Sequence, residues 1–251
     1  MNYREFGARA KETLVLLHGG GLSWWNYASL SDCLKKDFHV VLPILDGHGG
    51  SDRPFTTIES NAEEIISFID EKCGGSVLLL GGLSLGAQIA LKILCLRKNI
   101  CKYAIIESAA VIPQKMTNAL IGPSFSLSFP LIKNRSFSRL QFKSLHIKDE
   151  LFEDYYRDTC AIKKKDMTSF MKASTSFSLP QSAKSINAYV HVFTGERETG
   201  VIKKSAAEIS RLIPRCKTQV LPGLYHGEFS INHAEEYAAA VNHILKLEEG
   251  T

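Results

Sequence analysis

Short apolar runs alternate along the chain with longer segments in which apolar residues recur at helical spacing. Six runs are continuous and rich in leucine or β-branched residues, which is typical of strands that are covered on both faces. These predicted strands are 13–17, 38–42, 76–81, 103–107, 188–194 and 217–221. Predicted helices cover 61–72, 85–97, 201–212 and 233–248. The alternation predicts an α/β fold with a mostly parallel central sheet and helices on both faces.

The first predicted helix carries a local signal for its start. Ala62, Ile65 and Ile69 fall on one helical face. Ser60 and Glu63 have the spacing of a capping box, in which the two side chains satisfy backbone N–H groups at the helix start. This pattern predicts Ser60 as the capping residue.

The segment 113–185 interrupts the alternation of strands and helices. It begins at Pro113, ends near Pro180 and contains no convincing buried strand. It holds seven of the thirteen Phe residues, and twelve Lys or Arg against six Asp or Glu. We therefore predict a helical cap insertion over 113–185, packed on a core formed by 1–112 and 186–251.

The composition and net charge of the chain exclude several classes of protein. The 251 residues are 45% hydrophobic and 22% charged, which is ordinary for a globular protein with one large core. A net charge of +4 is too small to indicate nucleic-acid binding. The chain has no apolar stretch of membrane-spanning length and no secretory signal at its start, so we expect a cytoplasmic protein without a membrane partner. Six scattered cysteines without ligand spacing predict free thiols and no metal site.

The stretch "GGLSLG" places Ser84 between Gly82 and Gly86, in a G-x-S-x-G pattern. The serine lies between predicted strand 76–81 and predicted helix 85–97. A sharp strand-to-helix turn strains the serine backbone and needs small residues two positions before and after it. A serine in such a nucleophile elbow needs a histidine base, and a third group must orient that base.

Four further motifs follow predicted strands. They are "HGGG" at 18–21, "LDGHGGSD" at 45–52, "TGERE" at 194–198 and "LPGLYHGEF" at 221–229. Together with "GLSLG", their order resembles that of the α/β-hydrolase family. The likeness covers nearly the whole chain and is weakest over 113–185, where members of this family carry a variable cap.

The resemblance implies a catalytic triad in the family order of nucleophile, acid and histidine. Ser84 is the implied nucleophile and His226 the implied base. The implied acid is Glu198, a variant of the Asp that usually lies three residues after a glycine. Glu196 and Glu107 remain competing candidates for this role.

The resemblance also implies an oxyanion hole made of backbone N–H groups. Its donors would be Gly20, or Gly21, and Leu85. His18 and His48 lie in the glycine-rich loops, and we expect them to support those loops. The other histidines lie in a strand, in helices or outside any motif; they are His39, His146, His191, His233 and His243.

The function that this resemblance implies is hydrolysis of a small carboxylic ester, or a related acyl substrate, without cofactor. Three other kinds of enzyme use the same triad: carbon–carbon bond hydrolases, cofactor-free haloperoxidases and the menaquinone-pathway synthase. That synthase usually has an arginine soon after the nucleophile, and "SLGAQIAL" has none. Epoxide hydrolases and dehalogenases of the family use Asp as nucleophile, so Ser84 argues against both. A non-catalytic ligand receptor of the same fold is a further alternative.

Overall fold

A seven-stranded sheet with the order β1-β3-β2-β4-β5-β6-β7 forms the centre of the computed structural model, which describes residues 1–247. Its strands are β1 (Tyr3–Phe6), β2 (Thr13–Leu17), β3 (His39–Pro43), β4 (Val77–Leu83), β5 (Cys101–Glu107), β6 (Tyr189–Gly195) and β7 (Cys216–Leu221). Every neighbouring pair is parallel except β1 with β3. The predicted α/β fold is confirmed, and β2 to β7 match the six predicted strands.

Ten α-helices lie within residues 1–247. They are α1 (Ala28–Leu34), α2 (Ile58–Cys73), α3 (Leu85–Leu96), α4 (Lys115–Ser128), α5 (Arg135–Ser144), α6 (Phe152–Ala161), α7 (Lys164–Ser176), α8 (Gly200–Leu212), α9 (Glu228–Asn232) and α10 (Ala234–Leu247). The four predicted helices correspond to α2, α3, α8 and α10, and the predicted end at 248 lies outside the described residues. None of the helices in this part of the chain combines the length and the apolarity needed to cross a membrane.

The predicted start of α2 is wrong. The helix begins at Ile58, and the hydroxyl of Thr57 accepts a hydrogen bond from the backbone N–H of Ser60 at 3.0 Å. Ser60 therefore lies inside the first turn of α2, and the capping side chain is that of Thr57. The earlier hydroxyl already satisfies the N–H at this position, so no capping box with Glu63 is needed.

The core lies on both faces of the sheet. Alternate residues of β2 point to opposite sides, so Val15 joins the apolar cluster with α2, α3 and α8, and Leu16 joins the cluster with α1 and α10. Both side chains are fully buried. Burial of one such side chain contributes about 1.5–3 kcal/mol to folding. Cover on two faces explains why these strands are continuously apolar.

The chain between β5 and β6 consists of helices. We call α4 to α7 the cap helices. Two buried carboxylates tie them to loops of the sheet: Asp158 accepts a hydrogen bond from Trp25 Nε1 at 2.9 Å, and Asp166 accepts one from the Phe55 N–H at 3.0 Å. The cap helices are thereby held over the carboxyl ends of the strands. The division of the chain into a core and a cap unit stays a prediction.

Candidate active site

The turn from β4 to α3 holds Ser84 in a strained conformation, with φ +53° and ψ −110°. Non-glycine residues rarely adopt positive φ, and such strain is often found at functional sites. A Cβ atom on Gly82 would lie 2.4 Å from the carbonyl carbon of Gly86, and one on Gly86 would lie 2.1 Å from the Leu17 oxygen. The expected need for glycine on both sides of Ser84 is confirmed.

His226 links Ser84 to Glu198. Its Nε2 lies 3.0 Å from Ser84 Oγ, and its Nδ1 lies 2.8 Å from Glu198 Oε2. The three residues follow β7, β4 and β6, and parallel strands bring their carboxyl ends to the same edge of the sheet. The Glu198 side chain is fully buried, whereas that of His226 is half-exposed. The hydrogen-bonded chain thus runs from the interior to a solvent-accessible hydroxyl.

The second carboxylate oxygen of Glu198 is also satisfied. Oε1 accepts hydrogen bonds from Ser108 Oγ at 2.6 Å and from the Gly195 N–H at 3.0 Å. Burial alone would raise the pKa of Glu198, but the hydrogen bonds from His226, Ser108 and Gly195 outweigh burial and lower it. Glu198 is therefore an ionised acceptor that fixes the orientation of the imidazole.

The two competing acids are engaged elsewhere. Glu196 is exposed, and its Oε2 accepts a hydrogen bond from the Gly223 N–H at 2.8 Å. Glu107 is buried, and its Oε1 accepts one from the Ser230 N–H at 3.2 Å. Burial raises the pKa of Glu107 to about 7. Among residues 1–247, Glu198 is the carboxylate that hydrogen-bonds to the His226 ring.

Two backbone segments lie next to Ser84, the start of α3 at Leu85 and the glycine loop at Gly20. Leu85 is the first residue of α3, so its N–H has no acceptor within the helix. The loop at Gly20 lies against this helix start, because a Cβ atom on Gly20 would be 3.5 Å from Leu85 Cβ. Gly21, with φ +78°, lines the same cavity as Gly20 and Ser84. The expected oxyanion donors are thus neighbours of the serine.

A sequence model described as the alpha/beta hydrolase family matches residues 14–240 of the chain. The protein belongs to the α/β-hydrolase family. The soluble epoxide hydrolase of Corynebacterium sp. (strain C12) is 34% identical over 61 residues, which are 22% of this chain and 21% of that protein. The chain therefore aligns with only about a fifth of that curated relative.

Solved structures of the family share the fold of this hydrolase. The esterase EaEST from Exiguobacterium antarcticum has a TM-score of 0.81 and 18% identity, over 97% of this chain and 94% of that chain. MenH from S. aureus has a TM-score of 0.79 and 17% identity, over 98% of each chain. At this level of identity the likeness is one of fold.

In this α/β hydrolase, His18 and His48 connect the loops around the site. His18 Nε2 accepts a hydrogen bond from the Leu45 N–H at 3.1 Å, and His48 Nδ1 lies 3.0 Å from the Asp46 carbonyl oxygen. Burial lowers the pKa of His18 to about 3 and that of His48 to about 4. The His48 ring stacks on Phe170 of α7 at 4.4 Å. Both rings are neutral and support the loops.

A cavity of about 260 Å³ opens above Ser84 and His226. Its walls are mainly apolar, and the cap helices contribute four apolar or aromatic side chains to them: Phe125, Tyr155, Met167 and Met171. Gln141 and Thr159 add polar groups, and the buried Thr159 hydroxyl has no hydrogen-bond partner within residues 1–247. Of the described residues, none that lines the cavity is Lys, Arg, Asp or Glu.

Sequence reasoning missed Ser108 and the cavity residues of the cap. Ser108 directly follows predicted strand 103–107, next to the strand that leads to Ser84, and this position was an available signal. Its φ of +57° is visible only in three dimensions. Gln141 and Thr159 lie in a segment without a motif, so their place in the cavity depends on how the cap helices pack.

Proposed function

We propose that this protein is a serine hydrolase that cleaves a carboxylic ester through an acyl-enzyme on Ser84. The observation that carries the proposal is the hydrogen-bonded chain from Glu198 through His226 to Ser84, below an apolar cavity. A serine hydroxyl is a weak nucleophile unless a base removes its proton, and this arrangement provides an oriented base.

In the proposed reaction, Ser84 Oγ attacks the ester carbonyl carbon while His226 Nε2 takes the hydroxyl proton. The backbone N–H groups of Gly20, or Gly21, and Leu85 bind the oxyanion of the tetrahedral intermediate. Each such donor contributes about 3–4 kcal/mol of transition-state stabilisation. When the tetrahedral intermediate collapses, the bond between the carbonyl carbon and the alcohol oxygen breaks. The leaving alcohol receives the proton from the His226 imidazolium.

Deacylation repeats these steps with water. His226 takes a proton from the attacking water molecule, the second tetrahedral intermediate collapses, and Ser84 regains its proton as the carboxylic acid leaves. Glu198 stays ionised throughout and stabilises the imidazolium through Nδ1. The low pKa of its carboxyl group suits this role.

The cavity favours a neutral ester as substrate. An anionic substrate would have to bury its charge without a cationic partner in the lining, which is costly. This observation argues against a synthase-like reaction on a carboxylated substrate. Epoxide opening through an aspartyl ester has no nucleophile here, because serine occupies the turn after β4.

Labelling with a fluorophosphonate probe tests the nucleophile. We expect the native protein to be labelled at Ser84, and Ser84→Ala and heat-unfolded protein to remain unlabelled. Ser67→Ala, which changes an exposed serine of α2, is the matched control and retains labelling. A folded native protein that takes up no probe would instead favour a ligand receptor. A panel of esters, amides and thioesters with increasing acyl length then identifies the bond that is cleaved.

A further inference from the structure

Large apolar side chains are exposed mainly in one short part of the chain. Among the side chains of residues 1–246, eight of this kind are exposed, and six of them lie between positions 116 and 145. These six are Met116, Leu120, Leu127, Leu131, Leu140 and Leu145. Scattered exposed apolar residues are ordinary, but a concentration of them marks an interaction surface.

On α4 these side chains form one stripe. Met116, Leu120, Pro123 and Leu127 lie within about 60° of one another around the helix axis. We call these four residues the α4 stripe. Met116 and Leu127 are each 83% exposed, whereas Ile121 is the single buried residue of this helix. The α4 stripe therefore points to solvent, whereas a second apolar face of α4 is turned inward, with Ile121 buried and Phe125 packed on the core.

The surrounding charge has one sign. Residues 113–148 contain no Asp or Glu and six cationic residues, which are Lys115, Lys133, Arg135, Arg139, Lys143 and Lys148. Arg135 pairs with Glu153. The four lysines form no ion pair with another residue of 1–247. Within 113–148, apolar and cationic side chains are thus combined without a carboxylate, and the acidic residues begin at Asp149.

The surface continues from α4 towards the cavity above Ser84. The 3₁₀ turn Phe129–Lys133 packs against both α4 and α5 and carries exposed Leu131 and Lys133. On α5, Leu140 lies on the same exposed face as Arg139 and Lys143. Leu145, at the end of α5, is 36% exposed and also lines the cavity. The surface therefore reaches the wall of the candidate active site.

We propose that this surface, formed by the α4 stripe, the turn 129–133 and the outer face of α5, binds to an anionic phospholipid bilayer. Leucine and methionine side chains partition into the lipid interface, and lysines reach the headgroup phosphates with their long stems. Each lysine near an anionic membrane strengthens binding about five-fold. The sequence-based expectation of no membrane partner rested on the lack of a spanning segment, which does not bear on attachment to a bilayer surface.

Two other occupants fit the surface less well. A second copy docked through the same face would place two cationic surfaces against each other, which is repulsive. A peptide partner needs recesses for its anchors, but the 83% exposure of Met116 and Leu127 places these side chains on a ridge.

Vesicle co-sedimentation with the full chain tests this proposal. Vesicles of phosphatidylcholine alone are compared with vesicles in which about a third of the lipid is phosphatidylglycerol. We expect binding to the anionic vesicles, weaker binding at high salt and little binding to the neutral ones. Ser84→Ala binds equally well, so the result does not depend on the proposed hydrolysis. Lack of binding to anionic vesicles, or equal binding to both kinds, would overturn the proposal.

Two pairs of substitutions locate the surface. The pair Leu120→Ser with Leu127→Ser removes half of the α4 stripe and should weaken binding. The pair Lys133→Gln with Lys143→Gln should weaken binding about 25-fold.

Each test pair has a control pair that changes exposed residues elsewhere and should keep binding. The controls are Leu96→Ser with Val220→Ser, and Lys203→Gln with Lys204→Gln. These four paired variants, none of which changes a residue of the cavity or the proposed triad, should hydrolyse a soluble ester at the native rate.

If the control pairs weaken binding as much as the test pairs, the surface assignment is wrong. A concentration-dependent dimer in sedimentation equilibrium that the α4 stripe pair abolishes would equally overturn the proposal, in favour of self-association.

Discussion

Ser108 donates a 2.6 Å hydrogen bond to Glu198, on the carboxylate oxygen that His226 does not use. Ser108 Oγ also accepts a 3.4 Å hydrogen bond from the Gly227 N–H, next to His226. The backbone carbonyl oxygen of the preceding residue, Glu107, accepts a hydrogen bond from the backbone N–H of Ser84 at 2.9 Å. The end of β5 thus contacts the serine turn, the acid and the histidine loop, which makes Ser108 a positioning residue for the proposed triad.

Replacing Ser108 by alanine should lower kcat on a soluble ester about tenfold, because a charge-assisted hydrogen bond to Glu198 is lost. KM should change little, since Ser108 does not line the cavity. The same hydrogen bond helps to lower the pKa of Glu198, so its loss raises that pKa and leaves a more basic carboxylate. A more basic carboxylate stabilises the protonated imidazole more strongly, which should move the acid limb of the kcat–pH profile to higher pH. Ser108→Cys, which keeps a small side chain with a weaker S–H donor and adds no β-branch at this positive φ, should lose less activity than Ser108→Ala. An unshifted acid limb in Ser108→Ala would assign Ser108 a purely structural role.

Glu198→Gln should lower kcat by about three to four orders of magnitude, because a neutral amide stabilises the imidazolium poorly and can select the wrong tautomer. The measurement is steady-state hydrolysis of an activated ester, with the fold checked by circular dichroism. Glu196→Gln is the matched control, because Glu196 is exposed two positions away and bonds the Gly223 N–H. The assignment of the acid is wrong if the control loses activity and Glu198→Gln keeps it.

The uncharged cavity predicts discrimination between acyl groups of similar size. A butyrate ester should have a kcat/KM about a hundredfold above that of the succinate half-ester of the same alcohol, since the free carboxylate would be buried without a partner. Both substrates are assayed with the same leaving group, so the comparison isolates the acyl side. Equal rates would show that the acyl chain reaches solvent instead of the cavity.

Much of the fold was accessible from sequence because the sheet is covered on two faces. Strands such as β4 are buried along their length and therefore read as continuous apolar runs. β1 was missed because Tyr3–Phe6 is a short edge strand whose middle residues, Arg4 and Glu5, are exposed. An edge strand of this kind has no apolar periodicity to detect.

The residues of the candidate site also differ in how far the sequence predicts them. The Ser84 turn has a local cause, the close backbone approach at Gly82 and Gly86, and local causes leave a pattern in the sequence. The choice among eight histidines needed the family's motif order, because no local property sets His226 apart. Ser108 and the cavity wall depend on tertiary packing, so a pattern along the chain does not reveal them.

The buried carboxyl of Glu107 predicts a stability that depends on pH. Burial raises its pKa from 4.5 to about 7, so the folded protein holds this proton over a pH range in which the unfolded chain has lost it. The contribution of Glu107 to the free energy of unfolding should therefore fall as pH rises from about 4.5 to 7 and then level off. Glu107→Gln removes this titration, and its amide oxygen can still accept the Ser230 N–H. Relative to the native protein, the variant should gain on the order of 2–3 kcal/mol on going from pH 4 to pH 8.

Urea unfolding at the two pH values measures this difference. Glu196→Gln, an exposed glutamate whose removal should leave the pH dependence unchanged, is the control. A stability difference between Glu107→Gln and the native protein that is the same at pH 4 and pH 8 would mean that Glu107 ionises in the folded state as readily as in the unfolded chain. The interior position of its carboxyl group, with Oε2 unpartnered among residues 1–247, argues for the pH-dependent result.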